Sequence, residues 1–248
     1  MNEPSINTYK LEICSNSFFS ALQAEKGGAS RIELCQNLEN GGTTPSPGQI
    51  KLVRAHLGIG VHVLIRPRGG DFVYSKEEFQ EMLEDVRFCR EVGCDGVVIG
   101  VLHADGSVDT ERTAALVKQA GAMKTVFHRA FDRCVNPLES LEEIIGTGCH
   151  RLLTSGQQSC AWQGRDLIRE LITQADGRIE VMPGAGVDES NITKILLDTG
   201  ARSIHSSAKQ AVPSSMTHRV HAFTGMDEAT FRTSKERVEE LVRQIKSL

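Results

Sequence analysis

Apolar residues along this chain follow two rhythms. Short runs rich in Val, Ile and Leu, bounded by Gly and polar residues, read as buried strands. They fall at 9–14, 31–35, 61–65, 96–101, 124–128, 151–154, 179–182 and 203–206. Between them lie stretches with apolar residues three and four apart, the mark of amphipathic helices. These fall at 18–26, 47–56, 76–92, 110–120, 137–146, 164–174, 189–198 and 235–246. In the third helix Phe79, Met82, Leu83, Val86 and Cys89 recur at helical spacing, with Glu and Lys between them. Gly93, Gly121, Gly148 and Gly200 stand where left-handed C-caps are expected, and Ser75 and Asp109 where N-caps are.

A strand followed by a helix recurs roughly every 28 residues, which argues for α/β architecture with a parallel sheet. Eight such units in a chain of 248 residues select a closed (β/α)8 TIM barrel, expected as a single domain over 1–248. An open doubly wound sheet would want a glycine-rich loop after its first strand. The first strand here ends Glu12-Ile13-Cys14-Ser15-Asn16, without glycine. One stretch breaks the rhythm. Residues 209–234 carry Ser, Thr, His and Met with little periodicity, and read as a long loop serving as a lid or subunit contact.

Composition narrows the function. The chain is 40% hydrophobic and 24% charged, with a formal net charge of −4 from 28 basic and 32 acidic residues. No basic run stands out, so neither nucleic acid nor an anionic membrane is an expected partner. The opening M-N-E-P-S-I-N-T-Y-K lacks a positive region followed by an apolar one, so no signal peptide is expected. The apolar runs are far too short to span a bilayer. The seven cysteines, odd in number and spread out, fit reduced thiols better than a disulfide framework, and no C-x-x-C occurs.

In a closed parallel barrel the site lies at the C-terminal ends of the strands. The third strand ends V-H-V-L-I-R-P-R-G-G-D-F-V-Y over 61–74. Pro67 ends the ladder. Asp71 can neutralise one of Arg66 and Arg68, which leaves the other for a phosphate or carboxylate. Gly184 and Gly186 after the seventh strand, with Ser206 and Ser207 after the eighth, match a phosphate-binding arrangement common in these barrels. His128, with Asp132 four residues on, is a candidate general acid or base, and Glu33 is a third catalytic candidate. Glu12 and Cys14 share a strand face, as do Glu33 and Cys35. Consecutive strands about 4.8 Å apart bring two thiols and two carboxylates together in the barrel mouth. Two close thiolates at Cys14 and Cys35 suit a soft ion such as Cu(I).

Several of these stretches together resemble the CutC copper-homeostasis family. They are I-E-L-C at 32–35, G-G-T-T-P-S at 41–46, I-R-P-R-G-G-D-F at 65–72, T-V-F-H-R-A-F-D at 125–132, L-L-T-S-G at 152–156, M-P-G-A-G at 182–186 and H-S-S-A at 205–208. Met216 and Arg219 are similar to the family's Met-x-x-Arg segment. The resemblance implies a cytoplasmic homo-oligomeric barrel, often a dimer, with copper bound by cysteines matching Cys14 and Cys35. The residues alone keep a second reading open. In it the barrel is an isomerase, lyase or aldolase acting on a small phosphorylated or carboxylated metabolite. No lysine stands at a strand end as an obvious Schiff-base former, since Lys10 starts a strand and Lys209 lies beyond one.

Overall fold

A computed structural model describes residues 9–218 and 229–248. Its core strands are β1 (Lys10–Ser15), β2 (Arg31–Leu34), β3 (Gly60–Leu64), β4 (Gly96–Ile99), β5 (Lys124–Phe127), β6 (Arg151–Thr154), β7 (Glu180–Pro183) and β8 (Ser203–Ser206). The helices between them are α1 (Phe18–Lys26), α2 (Pro47–His56), α3 (Lys76–Val92), α4 (Thr110–Ala120), α5 (Pro137–Gly146), α6 (Arg165–Ala175) and α7 (Ile192–Thr199), and α8 (Lys235–Lys246) ends the chain. Parallel ladders run in the order β7-β6-β5-β4-β3-β2-β1-β8. β7 and β8 meet across the remaining gap by packing. The fold is the (β/α)8 barrel expected from the pattern.

Strand alternation divides the buried residues into two sets. Leu11, Ile13, Ile32, Leu34, Val61 and Val63 face outward and pack with the helices in one continuous core. Cys14, Cys35, Leu64, Val98, Val126, Leu153 and Met182 form a separate cluster inside the ring. Two residues back from Cys14, Leu64 and Leu153, on the same inward face, stand Glu12, His62 and Arg151. The ladder sets Glu12 opposite Arg31 on β2 and His205 on β8. The barrel is therefore filled by an apolar layer resting on a charged one.

Three features differ from the sequence expectation. α7 begins at Ile192, not 189. The Asp188 carboxylate accepts from the Ser190 N–H and hydroxyl, and Asn191 Oδ1 accepts from the Asp188 N–H, so this turn is occupied before the helix starts. β4 stops at Ile99, not 101, because Val101 and Leu102 enter the loop. The stretch 209–234 is not irregular throughout. β9 (Lys209–Val212) and β10 (Thr230–Thr233) form an antiparallel pair with Lys209 opposite Thr233. Almost every residue of this ribbon is exposed. With neither face buried, it carries no apolar alternation for a sequence reading to detect. Met216 is exposed, and Arg219 lies outside the described residues. Among the described residues, no helix is long and apolar enough to cross a membrane.

Candidate functional site

A cavity of about 590 Å³ opens at the C-terminal ends of the strands. Cys14, Glu33, Arg66, His128, Asp132, Gly186, His205, Ser206 and Ser207 all line it, contributed by six of the eight strand ends or the loops after them. Most of the residues singled out in the sequence thus converge. Cys35 lies just behind the wall, Gly184 is not part of the lining, and Arg68 is turned elsewhere.

The floor of the cavity is a cluster of Cys14, Glu33 and His205, whose potential ligand atoms lie within 4.8 Å of one another. The Cys14 and Cys35 sulfurs are 3.5 Å apart, too far for the bond of about 2.05 Å that a disulfide requires. Both are free thiols. Gly42, with φ +88°, closes over this pair. A side chain there would come within 2.8 Å of Leu64 Cδ2 and 3.6 Å of Cys35 Cβ. The sequence G-G-T-T thus lets a loop seal Cys35 completely, while Cys14 keeps 8% exposure on the cavity side.

His205 links this cluster to the charged layer beneath. Its Nδ1 donates to Glu12 Oε1 at 2.8 Å, and its Nε2 stands 3.6 Å from Glu33 Oε2. Glu12 is fully buried and also accepts from Arg31 Nε at 2.6 Å. Burial opposes its charge, yet Arg31 and His205 outweigh that and hold its carboxyl well below the usual carboxylate range. Burial also works against a charge on His205. The Cys14 sulfur, Glu12 and Glu33 overcome it and raise the imidazole well above its ordinary value. The hydrogen bond with Cys35, followed by burial, pushes the Cys14 thiol up. Burial raises Glu33. The Cys14 thiol, the His205 imidazole and the Glu33 carboxyl therefore each hold a proton more tightly than the free group does. A carboxylate that fixes one imidazole nitrogen while the other faces a sulfur and an oxygen is the outer-shell arrangement found behind metal-binding histidines.

The proposed His128–Asp132 partnership is not formed. His128 Nδ1 accepts from the Ala130 N–H at 3.1 Å and caps the short 3-10 helix Arg129–Arg133. Burial, with Arg66 nearby, depresses His128 to about 3. The ring is neutral, its lone pair is engaged, and its proton sits on Nε2. In this arrangement Nε2–H is the group His128 offers as a donor. Gly100 makes room for it, since a Cβ there would lie 2.3 Å from the imidazole. Asp132 turns to other partners. It accepts from Arg129 Nε at 2.7 Å, the Thr154 hydroxyl at 2.5 Å, the Ser155 hydroxyl at 2.8 Å and the Ser155 N–H. These bonds pin the loop after β6.

The two arginines also divide differently. Arg68 pairs with Glu78 at 2.6 Å and with Asp71 at 3.0 Å, outside the cavity, so it is a loop staple and not an anion ligand. A local reading saw Asp71 but had no means to see Glu78 on α3. Arg66 is 5% exposed. Its Nη1 donates to Asn40 O and Gly42 O and its Nη2 to Gly70 O, and Nε has no partner among the described residues. Gly184 serves close packing, because a Cβ there would meet Leu153 at 2.6 Å and His205 at 3.2 Å. The Ser206 hydroxyl is spent on Val187 O at 2.7 Å. Gly186, with φ +64°, and Ser207 remain on the wall.

Arg129, at the fifth strand end, lines the cavity too, and sequence reasoning missed Arg133 and Lys209 beside it. Lys209 lies past β8, but β9 folds it back over the opening. It also missed a role for His205. The signal was available, because closing an eight-stranded ring makes β8 a neighbour of β1.

These features define a (β/α)8 barrel with a thiol, carboxylate and imidazole floor under a cationic mouth. The CutC family model matches residues 9–210, and the chain belongs to the CutC family. A CutC family protein of Chromobacterium violaceum is 50% identical over 209 residues, 84% of this chain and 85% of the relative. One from Parabacteroides distasonis is 50% identical over 210 residues, 84% of this chain and 86% of the relative. The crystal structure of a Streptococcus agalactiae CutC, named for copper homeostasis, superposes with a TM-score of 0.77 at 35% identity, covering 81% of this chain and 99% of that one. Phosphoribosylanthranilate isomerase of Thermotoga maritima shares the fold, with a TM-score of 0.59 at 12% identity over 97% of this chain and 100% of that one.

Proposed function

We propose that this chain is a cytoplasmic copper-homeostasis protein, acting as a single barrel domain, whose cargo is Cu(I). Cys14 and Cys35 hold the ion, and His205 Nε2 and Glu33 are the further donors. The observation that carries this reading is the pair of free sulfurs 3.5 Å apart at the cavity floor. Soft thiolates select Cu(I) over the hard cations. The ion would enter past Cys14 and displace the thiol and imidazole protons of the floor. Seven free cysteines support a reducing compartment.

Replacing Cys14 and Cys35 together by Ala is expected to weaken Cu(I) binding about a hundredfold or more, equivalent to about 3 kcal/mol. Competition against a coloured Cu(I) chelator under anaerobic conditions measures it, and a urea titration shows that the barrel persists. Undiminished binding in the double variant would falsify the copper reading.

The assembly proposed is a homodimer. Phe19 on α1 and Phe231 on β10 are exposed by 48% and 44%, and these two elements pack side by side. Exposed aromatic residues are favoured interface anchors. Light scattering is expected to return twice the chain mass, and a lower mass for Phe19→Glu with Phe231→Glu. A monomeric parent removes the dimer.

The cavity wall supports a second reading, an isomerase, lyase or aldolase acting on a small phosphorylated or carboxylated metabolite. Arg66, Arg129, Arg133 and Lys209 bring four cationic groups to one opening beside Gly186 and Ser207. A soft metal needs none of them.

A further inference from the structure

Among the described residues, two N–H groups in the upper barrel are buried without a hydrogen-bond partner. They are Arg66 Nε and His128 Nε2. Leaving a buried donor unmade costs about 1–3 kcal/mol, and more when it is charged. Native proteins rarely tolerate this without a use. These two are not scattered. Both side chains line the same cavity, and both pack on one ring. The Arg66 guanidinium lies 5.0 Å from the Phe72 centroid, and the His128 ring lies 5.1 Å from it.

Most of the other donors and acceptors of the two residues are engaged. Three backbone carbonyls hold the Arg66 Nη atoms, so the guanidinium cannot swing away. The Ala130 N–H holds His128 Nδ1, which sets the tautomer and leaves the proton on Nε2. What remains is one charged and one neutral donor, preset and unmet. Preorganised donors of this kind match an oxygen that carries negative charge. A carboxylate oxygen fits, whereas a carbonyl or hydroxyl oxygen would leave the Arg66 charge unneutralised.

We infer that Arg66 Nε–H and His128 Nε2–H form a carboxylate-binding subsite, and that the ligand of this cavity is a small phosphorylated carboxylic acid. This rests on the anionic-metabolite reading above and sharpens it. The phosphate goes to Arg129, Arg133 and Lys209, beside Gly186 and Ser207, and the carboxylate to the inner donors. The copper floor is a separate constellation, so the subsite does not depend on metal.

Calorimetry with 2-phosphoglycolate, glycolate and inorganic phosphate tests the inference. The parent protein is expected to bind 2-phosphoglycolate at least about tenfold more tightly than phosphate, the increment of one charge-assisted pair. Two substitutions separate ligand binding from capping. In His128→Asn the amide oxygen takes the place of Nδ1 and keeps the Ala130 cap, but nothing reaches as far as Nε2. This variant is expected to melt near the parent temperature and to lose the tenfold advantage, with phosphate affinity unchanged. In His128→Gln the side-chain amide reaches the place of Nε2 while the cap is lost. It is expected to melt lower yet bind 2-phosphoglycolate within about threefold of the parent. If phosphate binds and 2-phosphoglycolate gains nothing over it, the donor pair is not a carboxylate site and the cationic mouth alone stands. If His128→Asn binds 2-phosphoglycolate like the parent, the same conclusion holds. If neither anion binds, the metabolite reading fails along with the subsite.

Discussion

Glu12→Ala is expected to destabilise the barrel by about 3–5 kcal/mol, the cost of stranding buried charges by removing their partner. Glu12 is 0% exposed. It accepts from Arg31 at 2.6 Å and from His205 at 2.8 Å, with His62 at 3.6 Å and Arg151 at 4.0 Å around it. Without it, Arg31 keeps the Met182 sulfur, at 3.1 Å, and His205 keeps the Cys14 sulfur and the more distant Glu33. Four basic groups would then share a dry interior with no central anion. The loss is a large part of the 5–15 kcal/mol that holds a typical domain together. For a chain of this size it lowers the melting temperature by roughly 10 °C. Glu12→Gln keeps the volume and one acceptor, and is expected to fall between parent and Ala. Urea unfolding followed by circular dichroism measures all three. A Glu12→Ala variant within about 0.5 kcal/mol of the parent, the spread of ordinary surface changes, removes the charged layer as a source of stability.

The same layer shows what a linear sequence can and cannot reveal. The barrel was legible, because eight buried runs with period two alternate with helices of period 3.6, and those periods are local. The approach of Cys14 to Cys35 was legible too. It follows from equal parity on adjacent strands, and the ladder sets Cys14 opposite Glu33 with Cys35 two residues on. Glu12 was placed one level too high. Parity fixes a side chain's face but not its depth, and depth follows from the stagger between strands. Arg68 and Asp132 were misjudged for a related reason. Their decisive partners, Glu78 and the loop after β6, come from other parts of the fold. A charged residue pairs with whatever the fold brings near it.

His128 is the sharper lesson. A histidine at a barrel strand end, four residues before an aspartate, invites reading as an acid–base pair. Backbone geometry settles it otherwise. The Ala130 N–H, two residues on, takes the lone pair, and Gly100 lets the imidazole settle flat against β4. Neither contact has a sequence signature at the histidine. On the proposed readings, one opening would combine two kinds of recognition, hard anions above and a soft cation below. The inward-facing charges under both hold the strand ends in register.

Lowering the pH from 7 to 4 is expected to remove folding stability on the order of 6 kcal/mol, because two histidines are buried uncharged. Burial depresses His62 to about 4, with the positive charges of Arg151 and Arg31 outweighed in part by Glu12. Burial and Arg66 depress His128 to about 3. In the unfolded chain both titrate near the ordinary value of about 6.5. Between that value and the folded ones the unfolded state binds two protons that the native state refuses. Stability therefore rises with pH across this window and is lost as pH falls through it, at up to about 2.7 kcal/mol per unit for the two together. Glu12, whose carboxyl is held low, adds a further loss below its ordinary range. His205 and Glu33 run the other way. Their folded values are raised, so their contributions are present at low pH and fade as pH rises. That sets the maximum near neutrality and not in base. Urea midpoints at pH 7, 5.5 and 4 should fall progressively, and the steepest decline should lie between 6 and 4, where both histidines act. His128→Asn removes one of the two titrating groups and is expected to cut that slope by about half. Equal midpoints at pH 7 and pH 4 in the parent would mean that these rings accept protons in the native barrel, and His128 would then be free to act as the base that its buried geometry denies.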